Sequence, residues 1–206
     1  MRIKTCLLAL SLLFVALSAR AQREETVLGS RNLAFSGIWG GSKHQITRFG
    51  ATNNYVNGWH FGLEFGKALQ IGIGGYDLHD YVLWDNVPGQ QFDMRWKAVS
   101  LGYGIQNFRA IHPVVNVDAG RGKVKFANEG EDHVFVIQPS AGVEINVFRW
   151  FHIGLEGGYR FVTDSDKISL SDRQLSGAFG QATLKFGFSW GRYRNQSRNN
   201  NNDNRD

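Results

Sequence analysis

Between residues 134 and 162 apolar and polar side chains alternate with a period of two. Phe135, Ile137, Ala141, Val143, Ile145 and Val147 share one parity; Gln138, Ser140, Gly142, Glu144 and Asn146 share the other. After residues 148–150 the alternation resumes, with Phe151, Ile153, Leu155, Tyr159 and Phe161 against His152, Gly154, Glu156, Gly158 and Arg160. Successive side chains of a strand point to opposite faces, so the stretch predicts two strands, each with one apolar and one polar face. A three-residue loop at 148–150 sets Val147 opposite Phe151, Ile145 opposite Ile153, Glu144 opposite Gly154 and Glu156 opposite Gly142. Each carboxylate on the polar face then meets a residue without a side chain.

The same alternation, less regular, recurs along the chain. Leu33, Phe35, Gly37 and Trp39 open an imperfect first strand, followed by a loop over 48–56. Trp59, Phe61, Leu63 and Phe65 alternate with His60, Gly62, Glu64 and Gly66 in a second, which turns at Lys67-Ala68. Leu69, Ile71 and Ile73 begin a third, whose phase slips at Gly74-Gly75 in the manner of a β-bulge, so that Tyr76 and Leu78 become its apolar members. After a loop at 84–91, Phe92, Met94 and Trp96 begin a fourth; it slips too and continues through Val99, Leu101, Tyr103 and Ile105. Val115, Val117 and Ala119, then less regularly Val124 and Phe126, form a fifth that ends in an acidic loop at 127–132. The hairpin above gives strands six and seven, and a polar loop runs from Thr163 to Ser176. Leu184, Phe186, Phe188 and Trp190 mark the eighth. Loops after the first, third, fifth and seventh strands are polar and mostly longer; those after the second and sixth are tight, and the one after the fourth is intermediate. This is the asymmetry of a barrel with short turns at one end and longer loops at the other.

Alternation leaves open which face is wet. In a soluble lipocalin-like barrel the apolar face points inward, and Gly37-Ile38-Trp39 matches a short first-strand signature of such binders. Three features favour the opposite orientation. The polar face is rich in glycine (Gly62, Gly66, Gly72, Gly142, Gly154, Gly158, Gly187), which suits a crowded interior and not a wet exterior. Aromatic residues gather at strand ends as membrane-interface anchors: Trp59, Trp96, Trp150, Phe151, Tyr159, Phe161 and Trp190. The last strand closes on alternating aromatics. The fold expected is therefore all-β, an eight-stranded antiparallel up-and-down transmembrane β-barrel. Its interior is expected to hold Glu64, Glu144, Glu156, Arg160 and Lys185, with Arg95 and Lys97 nearby, as a structural charge network in which Arg or Lys from adjacent strands pairs both Glu144 and Glu156.

The ends of the chain read differently. Arg2 and Lys4, an apolar run from Cys6 to Leu17, and Ala19-Arg20-Ala21 lay out a secretory signal peptide over 1–21, cut before Gln22. Residues 22–191 are then the barrel and 192–206 an Asn/Arg-rich tail expected to be disordered. The single cysteine, Cys6, lies in the leader, so disulfides do not hold the exported domain. The formal charge of +5 comes from the ends, leaving the barrel near neutral and giving no argument for nucleic-acid binding.

With this leader, the hairpin from Pro139 to Phe161 and the terminal LKFGFSW at 184–190, the chain resembles the small outer-membrane β-barrels of the OmpA/OmpX type, the outer-membrane β-barrel domain proteins. The resemblance implies the fold, a location in the cell outer membrane and contact with outer-membrane lipid. It says little about activity. The tail after Trp190 departs from relatives that stop at a terminal aromatic.

Candidate chemistry is sparse. Glu144 and Glu156, diagonal neighbours on the proposed register, suit salt-bridged filling better than acid–base catalysis. His44, His60, His79, His112, His133 and His152 lack metal-ligand spacing, and Asp164, Asp166 and Asp172 lack the glycine and terminal glutamate of a calcium loop. No cofactor is expected. A lipid A-modifying enzyme would need a serine and a histidine at matching strand positions, and the strands as read offer none, so no enzymatic activity is expected. The role expected is structural or interactive, through another envelope protein or the external loops.

Overall fold

The structure, a computed structural model, describes residues 34–49, 52–78, 82–83, 91–126, 130–166 and 168–190. The expected leader at 1–21 and tail at 192–206 lie outside the described residues. The elements are β1 (Phe35–Phe49), β2 (Thr52–Phe65), β3 (Leu69–Leu78), a two-residue β4 (Val82–Leu83), β5 (Gln91–Gly104), β6 (Ile111–Phe126), β7 (Glu131–Phe148), β8 (Phe151–Thr163), the single-turn α1 (Asp172–Leu175) and β9 (Gly177–Ser189). Every neighbouring pair is antiparallel. The order β3-β2-β1-β9-β8-β7-β6-β5 closes on itself through β3–β5, and β4 pairs only with the start of β5. The eight long strands form a closed up-and-down barrel.

Several expectations are corrected. The expected loop at 48–56 is mostly strand, because β1 and β2 pair continuously from Ile38↔Leu63 to Phe49↔Thr52. The acidic stretch at 127–132 is likewise partly strand, since β7 begins at Glu131. The hairpin turn is tighter by one residue: Phe148 pairs with Phe151, and a register shift between Asn146 and Phe148 takes up Val147. The other three expected pairs, Ile145↔Ile153, Glu144↔Gly154 and Gly142↔Glu156, are present.

The phase slips are absent. β3 pairs without interruption with both neighbours through Gly74 and Gly75, and β5 does so through Trp96 to Val99. What changes there is the environment. In the half nearer the termini, side chains pointing out are apolar, including Phe61, Ile71, Leu101, Val115, Ile137 and Phe186, all exposed, while the interior holds Glu64, Glu144 and Lys185, all buried. In the other half the faces exchange character. Phe92, Met94, Trp96, Val124, Val134, Val136 and Val162 fill the interior with Phe49, Val56, Tyr76 and Leu78, while Asp77, Arg95, Lys97, Arg121 and Lys123 face outward. The strands keep their parity and cross from one solvent to another. An apolar exterior belongs in lipid; an apolar core inside a polar shell belongs in water.

The interior glycines spare space of two kinds: at Gly154 a Cβ would come within 3.5 Å of the Glu156 carboxylate, whereas at others it would meet backbone. A Cβ on Gly142 would run into the Leu155 carbonyl, and one on Gly120 into the Lys97 carbonyl. The space they spare is needed by the backbone of the neighbouring strand, so these positions allow the close approach of a tightly coiled eight-stranded wall.

Candidate functional site

Where the polar interior meets the apolar core, β1, β3, β5 and β6 bring Lys43, Tyr76, Ser100 and Asp118 together. Lys43 Nζ donates to Asp118 Oδ2 and to Tyr76 Oη, each at 2.8 Å. Tyr76 Oη and Ser100 Oγ also donate to Asp118. Lys43 was not singled out from the sequence because β1 was read as ending near Trp39; Asp118, on the polar parity between Val117 and Ala119 of a strand the alternation does mark, was passed over. On the full strand, Lys43, Gln45 and Thr47 share the inward parity of Trp39.

Nearer the termini, Lys185 Nζ lies 2.6 Å from Glu144 Oε2, and His152 Nδ1 2.8 Å and His112 Nε2 3.6 Å from Glu144 Oε1. Glu64 takes hydrogen bonds from Ser36, Trp39 and Ser189. Glu156 takes them from Asn116 and Ser140, each at 2.7 Å. Lys185, on β9 and so two strands away and not on an adjacent one, pairs Glu144, whereas the partners of Glu156 are neutral amide and hydroxyl groups. Arg160, fully buried, also differs from the expected network. Its Nε donates to the Leu175 carbonyl at 3.0 Å and its Nη1 to Thr47 Oγ1 at 3.0 Å, and its guanidinium lies 3.8 Å from the centre of the Phe49 ring. It ties α1 to the wall.

Arg95 and Lys97 are corrections: both face outward, in the half where the exterior is polar. Trp96, expected as an interface anchor, is corrected by the same inversion. It is 3% exposed, stacks on Tyr76 with ring centroids 4.8 Å apart, and donates to Gln138 Oε1. Trp59, Trp150, Tyr159, Phe161 and Trp190 point outward and are exposed, and Phe151, half-buried, packs on Phe186 at 4.7 Å.

Among the described residues the interior is filled by side chains. A void of about 60 Å³ bordered by Lys43, His60, Ser100, Asn116 and Asp118 has room for a few waters, and the buried ring nitrogens of His60 are without a protein partner there. Beyond it lies the apolar core, which Ile168, Leu170 and Leu175 of the 164–176 segment join. Leu175→Ala is expected to cost about 2–5 kcal/mol of local stability. Limited proteolysis should then cut within 164–176 well before the strands; unchanged protection would show that the segment is not held by that core. Among the described residues no group of three or more His, Cys, Asp or Glu could hold a metal ion.

One polar cluster sits on the outer wall. Ser42 and His44 alternate outward along β1, and Tyr55 stands on β2 opposite Ile46. Ser42 Oγ is 3.1 Å from His44 Nε2, and His44 Nδ1 is 2.6 Å from Tyr55 Oη. This corrects the expectation that no serine and histidine share matching strand positions. The pair was hidden because β1 runs on to Phe49; extending the alternation past Gly41 would have exposed it.

No family model matches the chain, and no curated protein matches it in sequence. Solved structures do. The chain is similar to Neisserial surface protein A, NspA, with a TM-score of 0.56 and 10% identity over 77% of this chain and 99% of that one. It is similar to the N-terminal β-barrel domain of Pseudomonas aeruginosa OprF, with a TM-score of 0.54 and 10% identity over 74% and 97%. At such identities the likeness shows the fold, that of the small eight-stranded outer-membrane barrels.

Proposed function

We propose that the protein is an integral outer-membrane barrel with a closed interior, serving a structural or interaction role in the envelope through its water-exposed half. The exchange of apolar and polar faces partway along the strands carries this reading. It supports a lipid-embedded half ending at the termini and short turns, and a projecting half that ends in the hairpins and the 164–176 segment. Outward basic residues stand opposite one another just past the apolar band, as Arg95↔Lys123 and Lys97↔Arg121. Like charges directly across a pair disfavour each other, and an anionic lipid headgroup layer relieves that cost.

Because the only cysteine is Cys6, single-cysteine variants test the placement cleanly. A membrane-impermeant maleimide added to intact cells should label Lys97→Cys and Arg121→Cys and leave Val99→Cys and Leu101→Cys unlabelled. Equal labelling of all four would show that the apolar band does not lie in lipid.

A further inference from the structure

We propose that the end of the barrel bearing the short turns is a binding pocket for a small zwitterion, a free amino acid or short peptide, held with its ammonium group inward and its carboxylate at the rim. The proposal goes beyond the structural role. Binding is read on the folded barrel whichever half lies in lipid, so its failure and that of the orientation above are distinguishable.

The cavity is the first reason. Between the turns at 66–68, 105–110 and 149–150 the polar interior opens into a half-open cavity of about 820 Å³. Its walls include Asn107, His112, Glu144 and Asn146, and Lys67 and Arg149 stand on the turns at its mouth. Pockets for small ligands run to roughly 300–1,000 Å³. On the orientation proposed above, this mouth faces the periplasm.

The second reason is a set of buried acceptors that lack a donor. Buried polar atoms are nearly always paired, and an orphan costs free energy. Asn146 Nδ2 donates to the Asn107 carbonyl at 3.1 Å and to the Arg109 carbonyl at 2.9 Å. Those two bonds fix which end of the amide is nitrogen, and they leave Asn146 Oδ1 buried with no partner. Asn107 Oδ1 is also buried without a partner; its amide folds over Gly104, where a Cβ would run into it. His112, 1% exposed, turns Nδ1 to the Arg109 carbonyl at 3.3 Å. A carbonyl only accepts, so the proton sits on Nδ1, and the neutral ring leaves a lone pair on Nε2. That nitrogen has no hydrogen-bond partner, and it faces another acceptor, Glu144 Oε1, at 3.6 Å. A donor placed between the two would satisfy both.

The distribution of charge is the third reason. The orphans are all acceptors, and an ammonium group brings three N–H donors to them. A metal ion suits the site less. Among the described residues no group of three or more His, Cys, Asp or Glu could hold one, and the two cations at the mouth oppose its entry. The same cations suit a carboxylate. Acceptors within and cations at the rim match the two ends of an amino acid or peptide.

The test uses the full chain folded in detergent micelles, in equilibrium dialysis against radiolabelled alanine and, separately, dialanine. Saturable binding of alanine shows that a free amino acid suffices; binding of dialanine alone shows that a peptide is required. N-acetyl-dialanine lacks the ammonium and should compete about 10–100-fold less well than dialanine. Dialanine amide lacks the carboxylate and should compete about 2–5-fold less well, because the rim is wet. Asn107→Ala should weaken dialanine binding about tenfold. Arg149→Glu should weaken dialanine and strengthen its amide. Arg149 lies in an exposed turn, so this variant keeps the test decisive should Asn107→Ala fail to fold. Each variant is checked for the altered gel migration of the unheated folded barrel. Absence of saturable binding of either probe in the millimolar range would show that water alone serves the acceptors, and would overturn the assignment. Equal competition by dialanine and N-acetyl-dialanine, or a folded Arg149→Glu that keeps the wild-type preference, would also overturn it.

Discussion

Lys43→Met is expected to destabilise the barrel by about 3–5 kcal/mol, because it strands the buried carboxylate of Asp118 without its cation. Lys43 is 7% and Asp118 4% exposed, and Tyr76 and Ser100 spend their hydroxyl hydrogens on that same carboxylate. Neutral donors ease the loss of a cation without replacing its charge. The double variant Lys43→Met/Asp118→Leu should recover most of the loss, since removing both partners leaves no uncompensated charge. Urea unfolding in lipid vesicles, read by gel migration, measures both. A single-variant loss below about 1 kcal/mol would mean that water reaches the pair freely, as at a surface bridge.

Trp96→Ala is expected to cost about 3–5 kcal/mol, the range for emptying a packed aromatic site. It would remove the ring stacked on Tyr76 and leave the Gln138 side-chain oxygen, in a residue 1% exposed, without its indole donor. Lys97→Ala, one residue along and facing outward, should stay within about 0.5 kcal/mol. The contrast is diagnostic. An anchor at the bilayer surface would lose less on truncation, and its loss would vary with bilayer thickness. A Trp96→Ala effect that changed between thin and thick bilayers, or fell to the level of Lys97→Ala, would return this residue to the outer face.

These two residues also show where the sequence could and could not be read. The hairpin of β7 and β8 was legible because it lies mostly within the lipid-facing half, so one parity is apolar almost throughout, and the pairing of Glu144 with Gly154 follows from alternation alone. β3 and β5 cross from lipid to water. There the apolar residues exchange parity while the backbone stays regular, so Tyr76 after Ile73, and Val99 after Trp96, looked like slips of register. Arg95 and Lys97 were assigned to the interior for the same reason. Polar had been equated with inside along the whole strand, which holds only where lipid is the outer solvent. β1 failed otherwise: Gly40, Ser42 and His44 interrupt the outward apolar parity between Ile38 and Ile46. The strand seemed to stop, taking Lys43, Ser42 and His44 out of consideration. Partners across the barrel, such as Lys43 with Asp118 seventy-five positions later, depend on how the sheet closes. Local alternation does not encode that.

The exchange of faces along strands such as β3 and β5 bears on the unfolded chain as well as on the finished fold. A strand that is apolar outside below and apolar inside above never gathers its greasy residues into one run, and the mean hydropathy of the whole chain is −0.29. A helical stop-transfer segment needs roughly 20 consecutive apolar residues. The strands of the unfolded polypeptide therefore offer no such segment, and an affinity for lipid arises only when the sheet curls shut and sorts its side chains by direction.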